Sequence, residues 1–460
     1  MSGSRRSQAT GDRRAGPQAD PDLRSLFFDS RSNLVRELIT AVLALLTSVV
    51  AARGLGTEGY GVYGFAVLIP STAFALLSLG LAPGLVYVAG TGGATIRTLF
   101  RSALRLSLPL GLLATIVFGL AGMLWSRQLF PGVNSGLLMV ALGATPIYFL
   151  FNALVAVVQG VQDFRSYNLL RILVSGALLL SLAAAVHLMA GGALGAMTAW
   201  ASAYLLGILA LPLLRITPSE AAVPAVNTAG RVSSLALAYG LRAHLGNLMT
   251  FLSYRLDRYL IASLAGPIAL GLYMVASGLA ERLWVLSTSA GAVLFPRIAS
   301  LHGDEASRER LTSTVARHIF LMTFILGLGL ALAGEWVVRF FYGDEYRQAS
   351  IALALLIPGV VALSLSRILA NDLAGRGRPE LNSYIAVFGL VANVLANIIL
   401  IPRYGIAGAA LASSLSYSAS AIVKVVVFSR LTNASVRSLV LVTGDDLRKL
   451  WKLAARWLRG

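Results

Sequence analysis

Long apolar runs constrain this chain more than any other feature of its sequence. Of its 460 residues, 57% are apolar and only 13% are charged, whereas water-soluble domains carry about 25% charged residues. A run of roughly 17–25 apolar residues is long enough to cross a bilayer as a helix. Twelve such runs are present, centred near Leu45, Phe74, Leu113, Tyr148, Leu179, Leu205, Leu245, Val275, Leu326, Leu356, Val391 and Ser416. The sequence therefore predicts an all-α polytopic membrane protein with about 12 transmembrane helices.

The same residue pattern occurs twice, about 210 residues apart. Residues 56–66 match residues 266–276 in their glycines and tyrosine, and residues 192–199 match residues 405–412 in the same way. Six spans in each copy return the chain to the side on which it started. We therefore expect two six-helix bundles of parallel topology, related by a pseudo-two-fold axis along the membrane normal. Transporters built from such repeats place the substrate path at the interface between them.

Composition changes along the chain predict its domain boundaries. The first residues are polar and rich in Arg, Asp, Gly and Ser, which is typical of disorder. The last residues alternate Leu and Trp with Lys and Arg at helical spacing, which is typical of a helix lying on the inner leaflet. The predicted segments are a disordered cytoplasmic tail (1–32), an N-terminal six-helix bundle (33–214), a cytoplasmic linker (215–231), a C-terminal six-helix bundle (232–430) and a basic amphipathic cytoplasmic tail (431–460).

The formal net charge of +18 is informative through its placement. Most interspan arginines fall on the side of the N-terminus: Arg97, Arg101, Arg105, Arg165, Arg171, Arg215, Arg231, Arg297, Arg308, Arg310, Arg317, Arg376 and Arg378. Short loops rich in Arg and Lys stay in the cytoplasm. The chain is therefore expected in the cell (inner or plasma) membrane, in contact with membrane lipids and with both termini cytoplasmic. Because the positive charge is explained by topology, we expect no role in nucleic-acid binding.

The sequence offers little for catalysis or metal binding. With no cysteine and four histidines, it lacks a thiol nucleophile, a disulfide and a convincing metal cluster. No large external loop carries the paired carboxylates that a membrane glycosyltransferase needs. We expect no catalytic residue, no metal and no cofactor, and hence a protein that is not an enzyme.

Ionisable side chains inside a bilayer are costly unless they face water or a partner, so each one is a functional candidate. The predicted cavity residues are Arg36, Arg255, Asp257, Arg258, Glu281 and Arg282, with Arg242 and Lys424 as weaker members. The adjacent pairs Asp257–Arg258 and Glu281–Arg282 could instead be structural ion pairs, and the sequence leaves both readings open. Asn393 and Asn397 are expected to hydrogen-bond between helices. Arg376 is expected to reach the lipid headgroups and to fix topology only.

Four segments of the sequence resemble motifs of one known family. Residues 51–63, residues 256–262 followed by 266–267 and 271–273, residues 294–297 and residues 400–410 are similar, in this order, to motifs of bacterial polysaccharide (O-antigen type) flippases. These flippases belong to the multidrug/oligosaccharidyl-lipid/polysaccharide exporter superfamily. The resemblance covers roughly residues 33–430.

The resemblance implies a transporter that flips a polyprenyl-pyrophosphate-linked oligosaccharide from the cytoplasmic to the outer leaflet by alternating access, for surface polysaccharide synthesis. It leaves a proton or a sodium ion as the coupling ion, and it does not fix the oligomeric state. A cation-coupled drug antiporter of the same superfamily is the main alternative, although such a protein should have an acidic and apolar cavity. A membrane glycosyltransferase is a further alternative, disfavoured by the missing loop.

Overall fold

The computed structural model describes residues 21–91, 94–214, 216, 229–301, 303–432 and 434–442. Within these ranges the chain is almost entirely helical and contains no β-strand, as predicted. A π-helical turn (Ala184–Leu188) extends the fifth helix. The α-helices are α1 (Pro21–Leu77), α2 (Leu81–Gly90), α3 (Ile96–Leu129), α4 (Ser135–Gly160), α5 (Phe164–Ala183), α6 (Gly192–Ala210), α7 (Ala229–Glu281), α8 (Trp284–Ser300), α9 (Glu305–Leu332), α10 (Gly334–Tyr342), α11 (Ala349–Gly375), α12 (Pro379–Thr432) and α13 (Val436–Val440).

Three of these helices are too long for one membrane crossing. α7 and α12 contain 53 and 54 residues, or about 80 Å at ~1.5 Å per residue, against a hydrocarbon core of about 30 Å. Each is kinked at a glycine with positive φ, as is α1: Gly56 (φ 68°), Gly266 (φ 83°) and Gly405 (φ 55°). Glycine enters this region without a Cβ penalty, so each long helix divides into a first and a second arm.

The divided helices account for the number of crossings. Within the described ranges, nine helices are long and apolar enough to cross a membrane, and three of the nine supply two arms each. Six crossings therefore precede the segment 217–228 and six follow it. α2 continues the second arm of α1, and α8 continues the second arm of α7. The predicted arrangement of two six-helix halves is confirmed.

The duplication extends to backbone geometry. Residues with positive φ recur about 210 positions apart, in the pairs Gly56 and Gly266, Gly132 and Gly343, Gln162 and Gly377, and Gly192 and Gly405. Because successive crossings alternate in direction, six of these positions lie at one end of the molecule. We call it the glycine-turn end; it contains Gly56, Gly132, Gly192, Gly266, Gly343 and Gly405. The other end, where α1 begins and α12 finishes, is the opposite end.

The two halves meet where the second arm of α1 crosses the second arm of α7. A Cβ atom at Gly61 would lie 1.9 Å from the carbonyl oxygen of Pro267, and a Cβ atom at Gly271 would lie 2.1 Å from that of Thr57. No larger side chain fits at either glycine without moving a backbone. Close approach through small residues is a principal source of helix association in membranes, and here it joins the two halves.

Apolar stripes face outward on α3 and α9, the third crossing of each half. Their members are roughly half exposed or more and recur at i, i+4 spacing: Leu112, Ile116 and Leu120 in α3, and Phe324, Leu328 and Leu332 in α9. Contiguous apolar faces of this kind are unfavourable in water but suit contact with lipid. The chain is a multi-pass membrane protein.

The two predicted tails have different outcomes. α1 begins at Pro21, so residues 21–32 are helical, although the sequence predicts a disordered tail to residue 32. The reason is visible in the sequence, because Leu23, Leu26 and Phe27 continue the helical apolar spacing into the first crossing. Residues 1–20, most of the predicted linker and residues 443–460 of the predicted amphipathic tail lie outside the described residues.

Candidate functional site

A cavity of about 770 Å³ lies between the two halves. The N-terminal half contributes both arms of α1, together with α5 and α6, to its wall. The C-terminal half contributes both arms of α7, the start of α8, and α11. The wall extends from Arg36 and Tyr167, near the opposite end, to Tyr60 in the second arm of α1. A cavity at the interface of two repeats is where the sequence places the substrate path.

The charge of the cavity wall is strongly positive. Its acids are Glu37 and Glu281, and its cations are Arg36, Arg171, Arg255, Arg258, Arg282 and Arg367. Six arginines against two glutamates leave a formal excess of four positive charges. In a low-dielectric surrounding, such an excess favours an anion strongly, so the wall is suited to an anionic ligand.

Glu281 holds two of the arginines together. Its Oε1 accepts a hydrogen bond from Arg255 Nη1 at 3.1 Å and another from Arg258 Nη2 at 3.1 Å. The Arg258 side chain also donates to the hydroxyl of Ser277 at 3.4 Å, while its Nε is buried without a partner. One carboxylate thus neutralises only part of a two-arginine cluster and fixes the orientation of both guanidinium groups.

Arg282 is the cavity arginine with the most unused hydrogen-bonding capacity. Within the described residues its guanidinium forms no hydrogen bond and no ion pair, and its Nε is buried without a partner. A half-buried cation whose Nε is buried without a partner is costly, which indicates that this position has a purpose other than stability. The planar guanidinium presents paired N–H donors that match phosphate and carboxylate oxygens.

Aromatic rings position the remaining cavity arginines. Arg36 and Arg171 both lie over the ring of Tyr167, at 5.4 and 5.8 Å from its centroid, and Arg36 also pairs with Glu37 at 2.8 Å. Across the cavity, Arg367 lies 4.3 Å from the ring centroid of Trp284. Cation–π contacts hold a charge in place without neutralising it, so Arg171 and Arg367 keep donors for a ligand.

Contacts between the halves close the cavity toward the glycine-turn end. Arg53 donates to the carbonyl oxygens of Phe341 and Phe340 at 2.7 and 2.6 Å. The Tyr346 hydroxyl donates to the carbonyl oxygen of Ala52 at 2.9 Å, and the ring of Tyr346 packs edge-on against Tyr60. These C-terminal residues belong to α10 and the turn after it, so α10 forms part of the closure.

The structure brings five of the eight predicted cavity residues together. Arg36, Arg255, Arg258, Glu281 and Arg282 all line the large cavity. The remaining three lie elsewhere, and two cavity arginines were not among those predicted. Arg171 is assigned from sequence to a cytoplasmic loop, but it lies within α5, one turn after Tyr167. Arg367 lies within α11, four residues before Asn371, and that spacing is the one signal that could have placed it on a polar face.

Asp257 lies inside the C-terminal half and not in the cavity wall. Its carboxylate accepts hydrogen bonds from the Tyr273 hydroxyl at 2.5 Å and from the Ser413 hydroxyl at 3.5 Å. Asn393 donates to Ser413 at 3.5 Å, and Asn397 donates to the side-chain oxygen of Asn393 at 2.9 Å. Asn393 thus hydrogen-bonds to the second arm of α12, as predicted. Asn397 does not, because its amide donates only to Asn393 one turn earlier on the same arm, and its side-chain oxygen is buried without a partner.

The other predicted placements need correction as well. Arg242 is exposed and is not part of the wall of the large cavity. Lys424 is buried in the wall of a separate cavity within the C-terminal half. The adjacent residues Glu281 and Arg282 form no ion pair with each other, because Glu281 pairs with Arg255 and Arg258 instead.

Arg376 is tied into the protein, although the sequence predicts a headgroup contact. Its guanidinium pairs with Asp372 and with Glu305. Asp372 is fully buried and also accepts a hydrogen bond from the Thr312 hydroxyl at 2.5 Å. The side chain is only 9% exposed, because the carboxylate one helical turn earlier draws it inward. Arg376 therefore joins the ends of α9 and α11.

Comparison with known families gives one match that covers most of the chain. The family model described as polysaccharide biosynthesis protein matches residues 50–351. That stretch contains the second arm of α1 and both arms of α7, and most residues of the cavity wall lie within it.

Curated relatives match over shorter stretches. An uncharacterized membrane protein of Methanocaldococcus jannaschii is 29% identical over 39% of this chain and 36% of its own length. The probable low-salt glycan biosynthesis flippase Agl15 of Haloferax volcanii is 24% identical over 33% of each chain. A putative O-antigen transporter of Shigella flexneri is 19% identical over 35% of this chain and 38% of its own. The chain thus spans about a third to two fifths of the length of these relatives.

Solved structures match over nearly the whole chain. The lipid II flippase MurJ in an inward closed conformation superposes with a TM-score of 0.71 at 13% identity, over 92% of both chains. An inward-facing multidrug resistance transporter of the MATE family gives 0.67 at 18% identity, over 87% of this chain and 99% of its own. An outward-facing transporter of that family gives 0.58 at 18% identity, over 91% and 98%. At these identities the likeness establishes the fold alone.

Proposed function

The chain belongs to the polysaccharide biosynthesis protein family, and from that premise we propose that it moves a polyprenyl-pyrophosphate-linked oligosaccharide across the membrane. The direction is from the cytoplasmic to the outer leaflet, by alternating access, for synthesis of a surface polysaccharide. In this role the protein is a transporter and not an enzyme. A matched relative is itself named as a glycan biosynthesis flippase and another as an O-antigen transporter.

The observation that carries the proposal is the cluster of incompletely paired arginines in the cavity between the halves. Arg255 and Arg258 share the single carboxylate of Glu281, and Arg282 has no partner within the described residues. A pyrophosphate offers several anionic oxygens, and guanidinium groups bind such oxygens through paired, charge-assisted hydrogen bonds. Two guanidinium groups in the first arm of α7 and one in the turn between α7 and α8 can serve one pyrophosphate.

The remainder of the cargo also suits the cavity. Moving sugar hydroxyls through hydrocarbon without hydrogen-bond partners costs several kcal/mol for each group, roughly 4–8 kcal/mol on an alkane scale. A cavity of about 770 Å³ provides space for about 25 water molecules at ~30 Å³ each, and hence for several sugar rings with hydration. The polyprenyl chain is apolar and can remain in the bilayer.

The sign of the charge disfavours the main alternative. A drug or cation antiporter needs acids facing its substrate, whereas this cavity carries six arginines and two glutamates. Both glutamates already pair with arginines. A cationic substrate would meet an excess positive potential in this wall.

The closed glycine-turn end supports loading from the cytoplasmic leaflet. The interspan arginines counted from the sequence concentrate at the opposite end, which the positive-inside rule assigns to the cytoplasm. The cavity closure around Arg53 would then face outward, so this conformation would receive its cargo from the cytoplasmic leaflet. Both chain termini would be cytoplasmic, and the membrane would be the cell (inner or plasma) membrane.

Asp257 is our candidate for the site of ion coupling. A buried carboxylate that accepts hydrogen bonds from the hydroxyls of Tyr273 and Ser413 and from the backbone N–H of Arg258 needs a proton or a small cation to balance its charge. Oxygen ligands of this type suit a hard cation such as sodium. Because the group lies between the arms of α7 and α12, its ionisation or occupancy can influence how these arms pack.

Substitution of Arg282 is the direct test of the arginine cluster. Arg282→Ala removes a cation without orphaning a carboxylate, so the protein should fold normally. Loss of one charge-assisted hydrogen-bonding group, worth about 1.5–3 kcal/mol, should lower transport about ten- to a hundredfold. Lipid-linked precursor should accumulate on the cytoplasmic side while surface glycan declines. Arg258→Ala should act in the same direction.

Two further variants make the result interpretable. Arg282→Lys should restore activity only in part, because lysine keeps the charge and loses the paired donors. Arg378→Ala is the matched control, because Arg378 is exposed on the cytoplasmic side of the same half and should be silent. Normal glycan export by well-expressed alanine variants at both Arg258 and Arg282 would refute the arginine-cluster mechanism.

A further inference from the structure

A second cavity, of about 240 Å³, lies within the C-terminal half. The first arm of α7, the middle of α11 and both arms of α12 form its wall. Tyr254 and Arg367 line this cavity as well as the large one, so the two spaces adjoin through the same pair of side chains. We call it the side cavity. The transport mechanism proposed above assigns it no role.

Lys424 gives the side cavity its chemical character. The side chain lies in the second arm of α12, is only 8% exposed and lines the cavity. Within the described residues its ammonium group forms no hydrogen bond and no ion pair. A buried ammonium without a partner is as costly as a buried guanidinium, and it donates three hydrogen bonds when a partner is present.

The rest of the wall combines hydroxyls, one amide and aromatic rings. Among the described residues that line the side cavity there is no carboxylate, while Arg367 adds a second cation. The amide nitrogen of Asn382 donates to the carbonyl oxygen of Ala370 at 2.9 Å, and its side-chain oxygen is buried without a partner. The wall therefore offers cationic donors for an anion and one free acceptor for a hydroxyl group.

We propose that the side cavity binds an acidic sugar of the lipid-linked glycan, a hexuronic acid residue with its carboxylate on Lys424. The proposal rests on the function proposed above and deepens it by naming a sugar class. A ring hydroxyl donates to the free oxygen of Asn382, and Tyr417 supplies an aromatic surface for the sugar ring. Because Arg367 lies in the walls of both cavities, one lipid-linked glycan can place a sugar in the side cavity and its pyrophosphate in the large cavity.

The composition of the wall favours a sugar over a free phosphate. A phosphate site needs several donors that converge on one small group, whereas the donors here are spread around a cavity that holds about eight waters at ~30 Å³ each. That space is on the scale of a single sugar ring. The polar lining is mixed, with hydroxyls from Thr250, Ser253 and Ser420, as suits a ligand with many hydroxyls and a single charge.

The test compares two monosaccharides that differ only at C6, which is a carboxylate in one and a neutral hydroxymethyl group in the other. Methyl glucuronide and methyl glucoside are titrated onto the purified full-length chain in lipid nanodiscs, and dissociation constants are measured by ligand-observed NMR. The glucuronide should bind about ten- to a hundredfold more tightly, the effect of one charge-assisted hydrogen-bonding group. Lys424→Met, which keeps the side-chain volume and removes the charge, should abolish that preference. Lys424→Arg should retain it.

Inorganic pyrophosphate and inorganic phosphate complete the design. Pyrophosphate binding should fall in Arg282→Ala and remain unchanged in Lys424→Met, whereas glucuronide binding should follow the reverse pattern. Unchanged pyrophosphate binding in Arg282→Ala would count against the arginine cluster. The glucuronide measurements would still test the acidic-sugar site independently. Equal binding of the two sugars, or glucuronide binding that survives in Lys424→Met, would overturn the acidic-sugar site. Phosphate binding as tight as the glucuronide's and lost in Lys424→Met would also overturn it, in favour of a phosphate site.

Discussion

Arg53 should control how often the cavity opens at the glycine-turn end. Its guanidinium donates two hydrogen bonds, to the carbonyl oxygens of Phe340 and Phe341 in α10, and it connects the N-terminal half to the C-terminal half. When the halves separate at this end, both bonds must break. Arg53→Ala removes them in the closed state and changes little in the open state, so it should shift the population toward opening.

The size of the shift follows from the geometry. Hydrogen bonds from a charged donor contribute about 1.5–3 kcal/mol each when sheltered, and solvent reduces this at an exposed site. Arg53 is exposed, so we assign about 1–2 kcal/mol to the two bonds together. That free energy changes a two-state ratio roughly 5–30-fold. Arg53→Lys should fall between the wild type and the alanine variant, because lysine can replace only one of two divergent bonds.

Cysteine labelling measures this population directly. The chain has no cysteine, so a single Ala44→Cys substitution in the cavity wall provides one reporter. A membrane-impermeant maleimide applied from the glycine-turn side should label it roughly 5–30 times faster in Arg53→Ala. Arg403→Ala is the matched control, since Arg403 is exposed at the same end and makes no ion pair within the described residues. An unchanged labelling rate in Arg53→Ala, or an equal rise in Arg403→Ala, would refute the conclusion that Arg53 stabilises the closed state.

Three other changes test packing, ion pairing and coupling. Gly271→Ala places a Cβ 2.1 Å from a backbone oxygen of the facing helix and should lower the free energy of unfolding by about 1–3 kcal/mol. Gly278→Ala is the control, because a Cβ there meets no atom within 4 Å, and it should leave the free energy of unfolding unchanged. Equal melting temperatures for the two variants would contradict the close crossing of α1 and α7. Arg376→Ala leaves the buried carboxylate of Asp372 without its cation and should lower the free energy of unfolding by about 3–5 kcal/mol. Arg378→Ala is the control and should leave the melting temperature unchanged. An unchanged melting temperature in Arg376→Ala would favour the prediction from sequence that Arg376 contacts only lipid headgroups. Asp257→Asn should make transport in proteoliposomes insensitive to an imposed proton or sodium gradient while pyrophosphate still binds, and persistent gradient dependence would exclude Asp257 as the coupling group.

The number of crossings and their two-fold repetition could be predicted because both depend on apolar length and on glycine positions. Spans at Leu45 and Phe74 are separate apolar runs in the sequence, and they are the two arms of one helix in the structure. Hydrogen bonding resumes on both sides of Gly56, and no sequence rule distinguishes such a kink from a loop. α10 was not predicted, because nine residues between two spans are too short for a membrane signal.

The cavity was predicted in part, because sequence spacing gives the face of a helix but not the identity of its neighbours. Asp257 and Arg258 are adjacent in sequence, so they point about 100° apart on the helix, and only Arg258 faces the cavity. The same limit applies to Glu281, whose partners Arg255 and Arg258 lie on the preceding arm. Arg171 was missed because an arginine near the end of an apolar run resembles a topology signal. Arg367 was missed because its spacing to Asn371 gives a helix face without showing that this face borders the cavity.

The duplicated backbone carries an unequal distribution of charge, with a mechanical consequence. The N-terminal half supplies two arginines to the cavity wall, Arg36 and Arg171, while Arg255, Arg258, Arg282 and Arg367 come from the C-terminal half. Two halves that are equivalent in geometry are therefore unequal in affinity for an anion. An anionic headgroup bound to this wall would remain fixed relative to the C-terminal half. The N-terminal half would then move relative to both the headgroup and the C-terminal half. Each transport cycle would then expose a stationary ligand to alternate sides.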